Sequence, residues 1–228
     1  MGFLTDVFSK VSFVLNKHNI IQMKNKQGIR ATILILVVLL LDQALKIYVK
    51  TTFALNDGFN ILGLSWAQIK FVENNGMALG LELGGAYGKI ALSVFRVVAC
   101  VLIVLFMRKS IQENKSNTFI FALALVIAGA AGNIIDGIFY GNIFSSSDYF
   151  EIATLFPTEG GYASFFEGKV VDMLYFPIID THFPTWLPIF GGQEFRFNNY
   201  IFNLADLSIT IGVIVIFTVM MSDKKKGK

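Results

Sequence analysis

Four stretches of the chain are apolar almost without interruption: 31–49, 90–107, 119–140 and 201–221. A hydrocarbon core about 30 Å thick takes about 20 helical residues to cross, so each stretch predicts a membrane-spanning helix. Between the first two, the run from Phe59 to Val72 has partial apolar alternation and β-branched or aromatic content, with Gly58 before it and Asn74-Asn75-Gly76 after it. That pattern predicts a strand or hairpin at the membrane surface. The segment 141–200 is rich in aromatics and glycine, with turn signals at Gly160-Gly161, Pro177, Pro184, Pro188 and Gly191-Gly192, and is too long to be a passive connector. At the other end, Phe3, Leu4, Val7, Phe8, Val11, Val14 and Leu15 recur at roughly helical spacing, interrupted by Asp6 and Lys10. No small-residue cleavage site follows, so 1–30 reads as an interfacial amphipathic arm rather than a signal peptide. Met23, followed by Lys24 and Lys26, is a candidate start for a shorter form. The expected organisation is an all-α membrane protein: the arm 1–30, one four-helix domain over 31–221, and a basic tail 222–228.

Composition narrows the class. Of 228 residues 54% are hydrophobic and 15% charged, and the mean hydropathy is +0.62, which excludes an ordinary soluble enzyme. A single cysteine, Cys100, lies inside the second apolar stretch, and His18 and His182 have no metal-ligand spacing around them. Disulfide, zinc and thiol chemistry are therefore not expected, and no cofactor or metal is called for. The placement of charge says more than the net +3. Five basic residues fall in 1–30, three in 108–118 and four in 222–228, whereas 50–89 holds three and 141–200 only two beside seven acids. The positive-inside rule then puts both termini and the short middle loop in the cytoplasm and both long loops outside. Nothing in this pattern points to nucleic acid.

The informative residues are the polar ones within the spans, because an ionisable group in hydrocarbon must face a partner or a water-filled cavity. Asp42 and Lys46 lie four apart on one face of the first helix, in its outer half. Asn133 and Asp136 fall near the outer end of the third, and Asn203 and Asp206 near the outer start of the fourth, each pair three apart. Asp172 belongs to Gly168-Lys169-Val170-Val171-Asp172-Met173, whose apolar neighbours would lay it against the membrane at the head of the fourth helix. Any one of these residues could be glue between helices. Carboxylates from several segments at one depth, under a large structured loop, favour a site. A small proton-coupled transporter or lipid carrier using Asp42, Asp136 and Asp206 as a relay is the alternative from another class, although no inverted repeat accompanies it.

Five blocks carry the chain further: Asp42-Gln43-Ala44-Leu45-Lys46, Asn74-Asn75-Gly76-Met77-Ala78-Leu79-Gly80, Gly132-Asn133-Ile134-Ile135-Asp136, Val170-Val171-Asp172-Met173 and Phe202-Asn203-Leu204-Ala205-Asp206. In that order and spacing they resemble the signature blocks of the lipoprotein signal peptidase (signal peptidase II) family of bacteria, over roughly 31–221. The resemblance implies an intramembrane aspartic endopeptidase of the bacterial inner membrane, with its site near the outer leaflet. Such an enzyme removes the signal peptide of diacylglyceryl prolipoproteins just before the lipidated cysteine. By the same resemblance Asp172 and Asp206 are the catalytic pair. Asp42, Lys46, Asn74, Gly76, Asn133, Asp136 and Asn203 then support the site and line the substrate path. The first outer loop would be a small β-cradle, membrane lipid a partner, and globomycin an occupant of the site. Paired carboxylates suit the reaction, since one can activate water while the other protonates the leaving nitrogen. HExxH, GxSG and GxGD, the marks of other intramembrane proteases, are missing.

Two departures stand out. Gly137 follows Asp136 where the family carries an arginine, which makes Arg96, some seven residues into the second span, a candidate compensating cation. About 25 residues, Phe144 to Gly168, are inserted between the third and fourth blocks relative to compact members. Leu79, where an aromatic is common, is a minor difference.

Overall fold

The computed structural model describes residues 2–75, 85–197 and 200–226. Helix α1 (Gly2–Lys50) is followed by β1 (Gly58–Asn60), a 3₁₀ turn, and β2 (Gln68–Asn74). Next come α2 (Gly85–Gln112) and α3 (Asn117–Ile135), which runs on through a π turn (Asp136–Tyr140) into a last helical turn, α4 (Gly141–Ile143). Strands β3 (Val170–Tyr175), β4 (Ile179–His182), β5 (Glu194–Phe197) and β6 (Ile201–Phe202) precede α5 (Leu204–Lys226). Four helical stretches are long and apolar enough to cross a membrane: Met23–Lys50, Gly88–Gln112, Asn117–Ile143 and Leu204–Lys225. The chain is a multi-pass membrane protein with a small antiparallel sheet at one end of its bundle.

Three expected boundaries shift, each for a local reason. The first helix runs unbroken from Gly2, so the arm 1–30 is continuous with the first span rather than a separate element; no proline interrupts it. The third span does not end at 140, because the π turn carries the helix on to Ile143. The fourth begins at Leu204 rather than 201. Ile201 and Phe202 are apolar but pair with β3 as a strand, and hydropathy alone does not separate a short buried strand from a helix start.

Helix α3 is the central one, with buried residues from Phe119 to Gly132. Against it pack Ala31 of α1 and Met107 of α2, sealing one end of the bundle with Ile120, Leu123 and Ile127. The opposite faces of α1, α2 and α5 expose Leu36, Leu40, Phe95, Leu102, Ile214 and Phe217, as lipid-facing surfaces do. Small residues let α3 and α5 approach closely: a Cβ on Gly129 would stand 2.2 Å from the Ala205 carbonyl oxygen, and one on Gly212 would stand 2.7 Å from that of Ala122.

The sheet has the order β1-β2-β3-β6, all antiparallel. Its β1–β2 hairpin is the one that Phe59–Val72 predicts, and β3 pairs with the other edge of β2, across an irregularity between Ile69 and Val72. Phe71, Val171 and Met173 face a second core with Val49, Tyr140 and Phe144, which fixes the sheet to the ends of α1 and α3. Strands β4 and β5 form a separate two-stranded hairpin, an excursion that leaves β3 and returns at β6.

Candidate active site

The blocks that are far apart in the chain meet where α1, α3, β3 and the head of α5 come together. Lys46 is at the centre and is fully buried. Its Nζ lies 2.9 Å from Asp42 Oδ2 and 2.7 Å from Asp136 Oδ2 and donates to Asn133 Oδ1 at 2.9 Å. An ammonium has three donors, and all three are used. Asp42 and Lys46 meet because they are one turn apart on α1; Asp136 arrives from the first residue of the π turn. Gln43 ties the two acids together, its Nε2 donating to Asp136 Oδ1 at 2.9 Å and to Asp42 Oδ2 at 3.2 Å, while Tyr140 Oη donates to Gln43 Oε1 at 3.1 Å.

The head of α5 explains the three-residue spacing of Asn203 and Asp206. Asn203 Oδ1 accepts from the Asp206 backbone N–H at 2.8 Å, and the Asn203 N–H donates back to Asp206 Oδ2 at 3.4 Å. This is a reciprocal capping box built from Asn and Asp. Asp42 Oδ1 takes the next free amide, that of Ala205, at 2.9 Å. The first turn of α5 is thus pinned to α1, and a carboxylate at its third position complements the helix dipole.

Asp172 is brought to this point by β3. Asn203 Nδ2 donates to its Oδ1 at 2.7 Å and Asn74 Nδ2 to its Oδ2 at 3.3 Å. Asn133 Nδ2 donates to Asp206 Oδ1 at 2.8 Å. The two carboxylates therefore share a framework of amides, with Asn203 bonded to both. Asp172 is 4% exposed whereas Asp206 is half-buried. Burial, with the like charge of Asp206 added, pushes the Asp172 carboxyl up to about 7, against the opposing hydrogen bonds of Asn74 and Asn203. Among the described residues no group of three or more His, Cys, Asp or Glu could hold a metal ion.

Of the site residues that the sequence singles out, Asp42, Lys46, Asn74, Asn133, Asp136, Asp172, Asn203 and Asp206 come together. Gly76 lies outside the described residues. Asp136 takes its direct cation from Lys46 on α1. Arg96, half-buried on α2, stands within electrostatic reach of Asp206 and Asp136.

A second polar cluster, one turn further along α1, has no counterpart in the sequence reading. Lys50 is fully buried, paired with Glu73 of β2 and donating to Ser147 Oγ at 2.8 Å. The rings of Phe144 and Tyr162 lie 5.3 and 5.1 Å from its Nζ. Lys169 Nζ reaches Glu73 Oε2 at 3.0 Å, and the Lys169 N–H donates to Tyr162 Oη at 2.7 Å. Burial alone would raise the Glu73 carboxyl, but Lys50 and Lys169 outweigh it and hold the group below its ordinary range. Ser147 and Tyr162 belong to the 144–168 insert, which wraps this ion pair, and Glu73 directly precedes Asn74. Lys50 falls four residues after Lys46 on the same helix face, the one signal in the sequence that could have pointed to it.

Comparisons with known proteins point to one family. A family model described as signal peptidase (SPase) II matches residues 34–222. A lipoprotein signal peptidase of Porphyromonas gingivalis is 48% identical over 191 residues, covering 83% of this chain and 82% of that one. One from Amoebophilus asiaticus is 33% identical over 184 residues, covering 79% and 73%. Among solved structures, a bacterial membrane enzyme determined by the in meso method at 1.9 Å is similar with a TM-score of 0.57 and 26% identity, over 85% of this chain and 94% of that one.

Proposed function

This chain belongs to the signal peptidase II family, and from that premise we propose that it is an intramembrane aspartic endopeptidase with Asp172 and Asp206 as its catalytic pair. A protease that processes lipoprotein signal peptides is what the family supports. The finer reading is that it cuts diacylglyceryl prolipoproteins immediately before the lipidated cysteine. The observation that carries the aspartic reading is the joint attachment of both carboxylates to Asn203, at 2.7 Å to Asp172 and 3.4 Å to Asp206.

Asp172, whose buried carboxyl retains a proton to about pH 7, is the acid. Asp206, more exposed and receiving hydrogen bonds from Asn133 Nδ2 and the Asn203 amide, is the base. In the reaction Asp206 takes a proton from water as the water oxygen bonds to the scissile carbonyl carbon and the C=O π pair moves onto the carbonyl oxygen, to return when the C–N bond breaks. Asp172 then gives its proton to the amide nitrogen as the C–N bond breaks. The pair ends with the proton on the other partner, and transfer back across the site restores the starting form. Lys46, Asp42, Asp136, Asn133, Asn203 and Asn74 orient the pair, and Gly76 completes the second block. Arg96 supplies positive charge on the side where Gly137 brings none. The carrier alternative loses its relay, because Asp42 and Asp136 are both bound to Lys46.

The peptidase domain is 31–221, with the arm and the basic tail on the cytoplasmic side and the sheet and site facing the outer leaflet. The distribution of basic residues supports that orientation. Globomycin would compete for the same site. Purified protein in lipid nanodiscs, incubated with a diacylglyceryl prolipoprotein, should release the signal peptide, and globomycin should block it. Asp172→Asn and Asp206→Asn should each leave a folded protein without cleavage. Activity above a few per cent in either variant would remove that residue from the pair.

A further inference from the structure

The β4–β5 hairpin has a tip, residues 183–193, without a single charged residue: Phe183-Pro184-Thr185-Trp186-Leu187-Pro188-Ile189-Phe190-Gly191-Gly192-Gln193. Trp186 is 77% exposed and Ile189 86%. Ile189 also has φ 73°, a left-handed conformation that a β-branched side chain seldom adopts. The tip is closed by hydrogen bonds of its own. Phe183 N–H donates to Gln193 O at 2.9 Å and Gly192 N–H to Phe183 O at 3.0 Å. Leu187 N–H reaches Pro184 O at 3.0 Å and Gly191 N–H reaches Leu187 O at 2.9 Å. A tip closed by backbone hydrogen bonds of its own, with tryptophan, isoleucine and phenylalanine turned outward, suits the interface, where apolar side chains leave water.

We propose that this tip is an interfacial anchor, seated in the phospholipid leaflet on the sheet's side of the membrane. Three observations select lipid as its occupant. The hairpin returns to β6, and the membrane-crossing helix begins at Leu204, two residues after β6 ends. Phe190 is thus 14 residues from the span, within about 50 Å of it even if the chain were fully extended and nearer in a folded hairpin. Tryptophan at a membrane-side turn suits the boundary between headgroups and acyl chains. The exposed aromatic segment 144–168 makes the contrast: Tyr149, Phe150 and Phe156 are exposed there, but among Asp148, Glu151, Glu159 and Glu167, with no basic residue. Acids of that density keep the insert in water, whereas nothing in the tip opposes burial. The anchor has a consequence for the site, because the hairpin is the only covalent link between β3, which bears Asp172, and the head of α5, which bears Asp206. Seating its tip in lipid restrains that link at the membrane surface.

The chain has two tryptophans, so Trp66→Phe leaves Trp186 as the sole indole. Trp66→Phe in phosphatidylcholine nanodiscs should show blue-shifted emission, quenched about twofold when the acyl chains carry bromine near the headgroup, and weak quenching by acrylamide in the buffer. If Trp66→Phe proves unstable, the difference in emission between the unmodified protein and Trp186→Phe reports the same residue. Emission insensitive to brominated lipid and open to acrylamide would place the tip in water and overturn the proposal. Insensitivity to both quenchers would mean that protein covers the tip, through a second copy or a partner, and would overturn it equally.

Discussion

Asp172→Asn should abolish activity and yet raise stability above neutral pH. The native carboxyl holds its proton to about 7, against an ordinary value of 3.8. Below about pH 4 both folded and unfolded chains are protonated and the group costs nothing. Between about 4 and 7 the unfolded chain releases its proton while the folded one retains it, so stability falls as pH rises, and above 7 the full cost is present. At roughly 1.4 kcal/mol per tenfold change in proton affinity, the gap amounts to about 4 kcal/mol. An asparagine cannot ionise and escapes this. Its NH₂ must however replace one oxygen that now accepts from Asn203 or Asn74, which costs about 1–2 kcal/mol at any pH. The net expectation is a variant less stable than the unmodified protein at pH 4.5 and more stable, by about 2–3 kcal/mol, at pH 8.5. For a chain of this size that raises the apparent Tm by on the order of 5 °C. Cys100, the single cysteine, is half-buried within α2, so a thiol-reactive fluorophore reports unfolding directly. Crossing pH–stability curves are expected. Parallel curves, or a variant less stable at both pH values, would refute the assignment of a retained proton to Asp172.

Lys46→Met strands Asp42 and Asp136 in a buried site and should cost about 3–5 kcal/mol, seen as a collapse of Tm or of membrane-integrated yield. Asn133→Asp places an oxygen where Nδ2 now faces Asp206, so it should lower kcat and shift the pH profile more than Asn133→Ala does; equal effects would argue against a directed amide. Glu73→Gln removes the anion between Lys50 and Lys169 and should cost about 3 kcal/mol near neutral pH. Because the Glu73 carboxyl lies below its ordinary range, the unmodified protein should lose this contribution as pH falls below about 4.5, and the variant should not. Gly168→Ala would set a Cβ 2.1 Å from the Asp136 carbonyl oxygen, and should reduce both Tm and kcat/KM by displacing β3 against the π turn.

The four spans were legible because each needs only length and apolarity, and the hairpin at 58–74 because alternation and flanking turn residues mark it. The ends of the spans were not, since Ile201-Phe202 is as apolar as a helix start yet is spent on pairing with β3. The candidate site residues were legible one block at a time, through polar groups recurring at one depth. What joins the blocks was not. Lys46 pairs with Asp136 from 90 positions away, and Lys50 with Glu73 only once the sheet is folded onto the bundle. Asn203 and Asp206 looked like two residues on one helix face, whereas they cap the helix. An Asn three residues ahead of an Asp at an apolar run is itself an N-terminal signal. The β4–β5 hairpin was visible only as a run of turn residues, because its strands are four residues each.

A buried cluster of two acids and a lysine is an expensive way to hold helices together, since apolar side chains of similar volume often do as well or better. Its use here lies in orientation. Asn133 and Asn203 each have one end that donates and one that accepts. Lys46 can only donate, so the Asn133 oxygen must face it, and the Asn133 NH₂ is thereby turned on Asp206. The Asp206 backbone amide likewise can only donate, so the Asn203 oxygen must face it, and the Asn203 NH₂ is turned on Asp172. Reversing either amide would set donor against donor. Both proposed catalytic carboxylates are thus met by donors whose direction is set from behind, by a charge on α1 in one case and by the first turn of α5 in the other. Asp42 links the two arrangements, pairing with Lys46 and accepting from Ala205 in that same first turn. Hydrophobic replacements could fill the volume of Lys46, Asp42 and Asp136, but they could not decide which end of Asn133 points at the site.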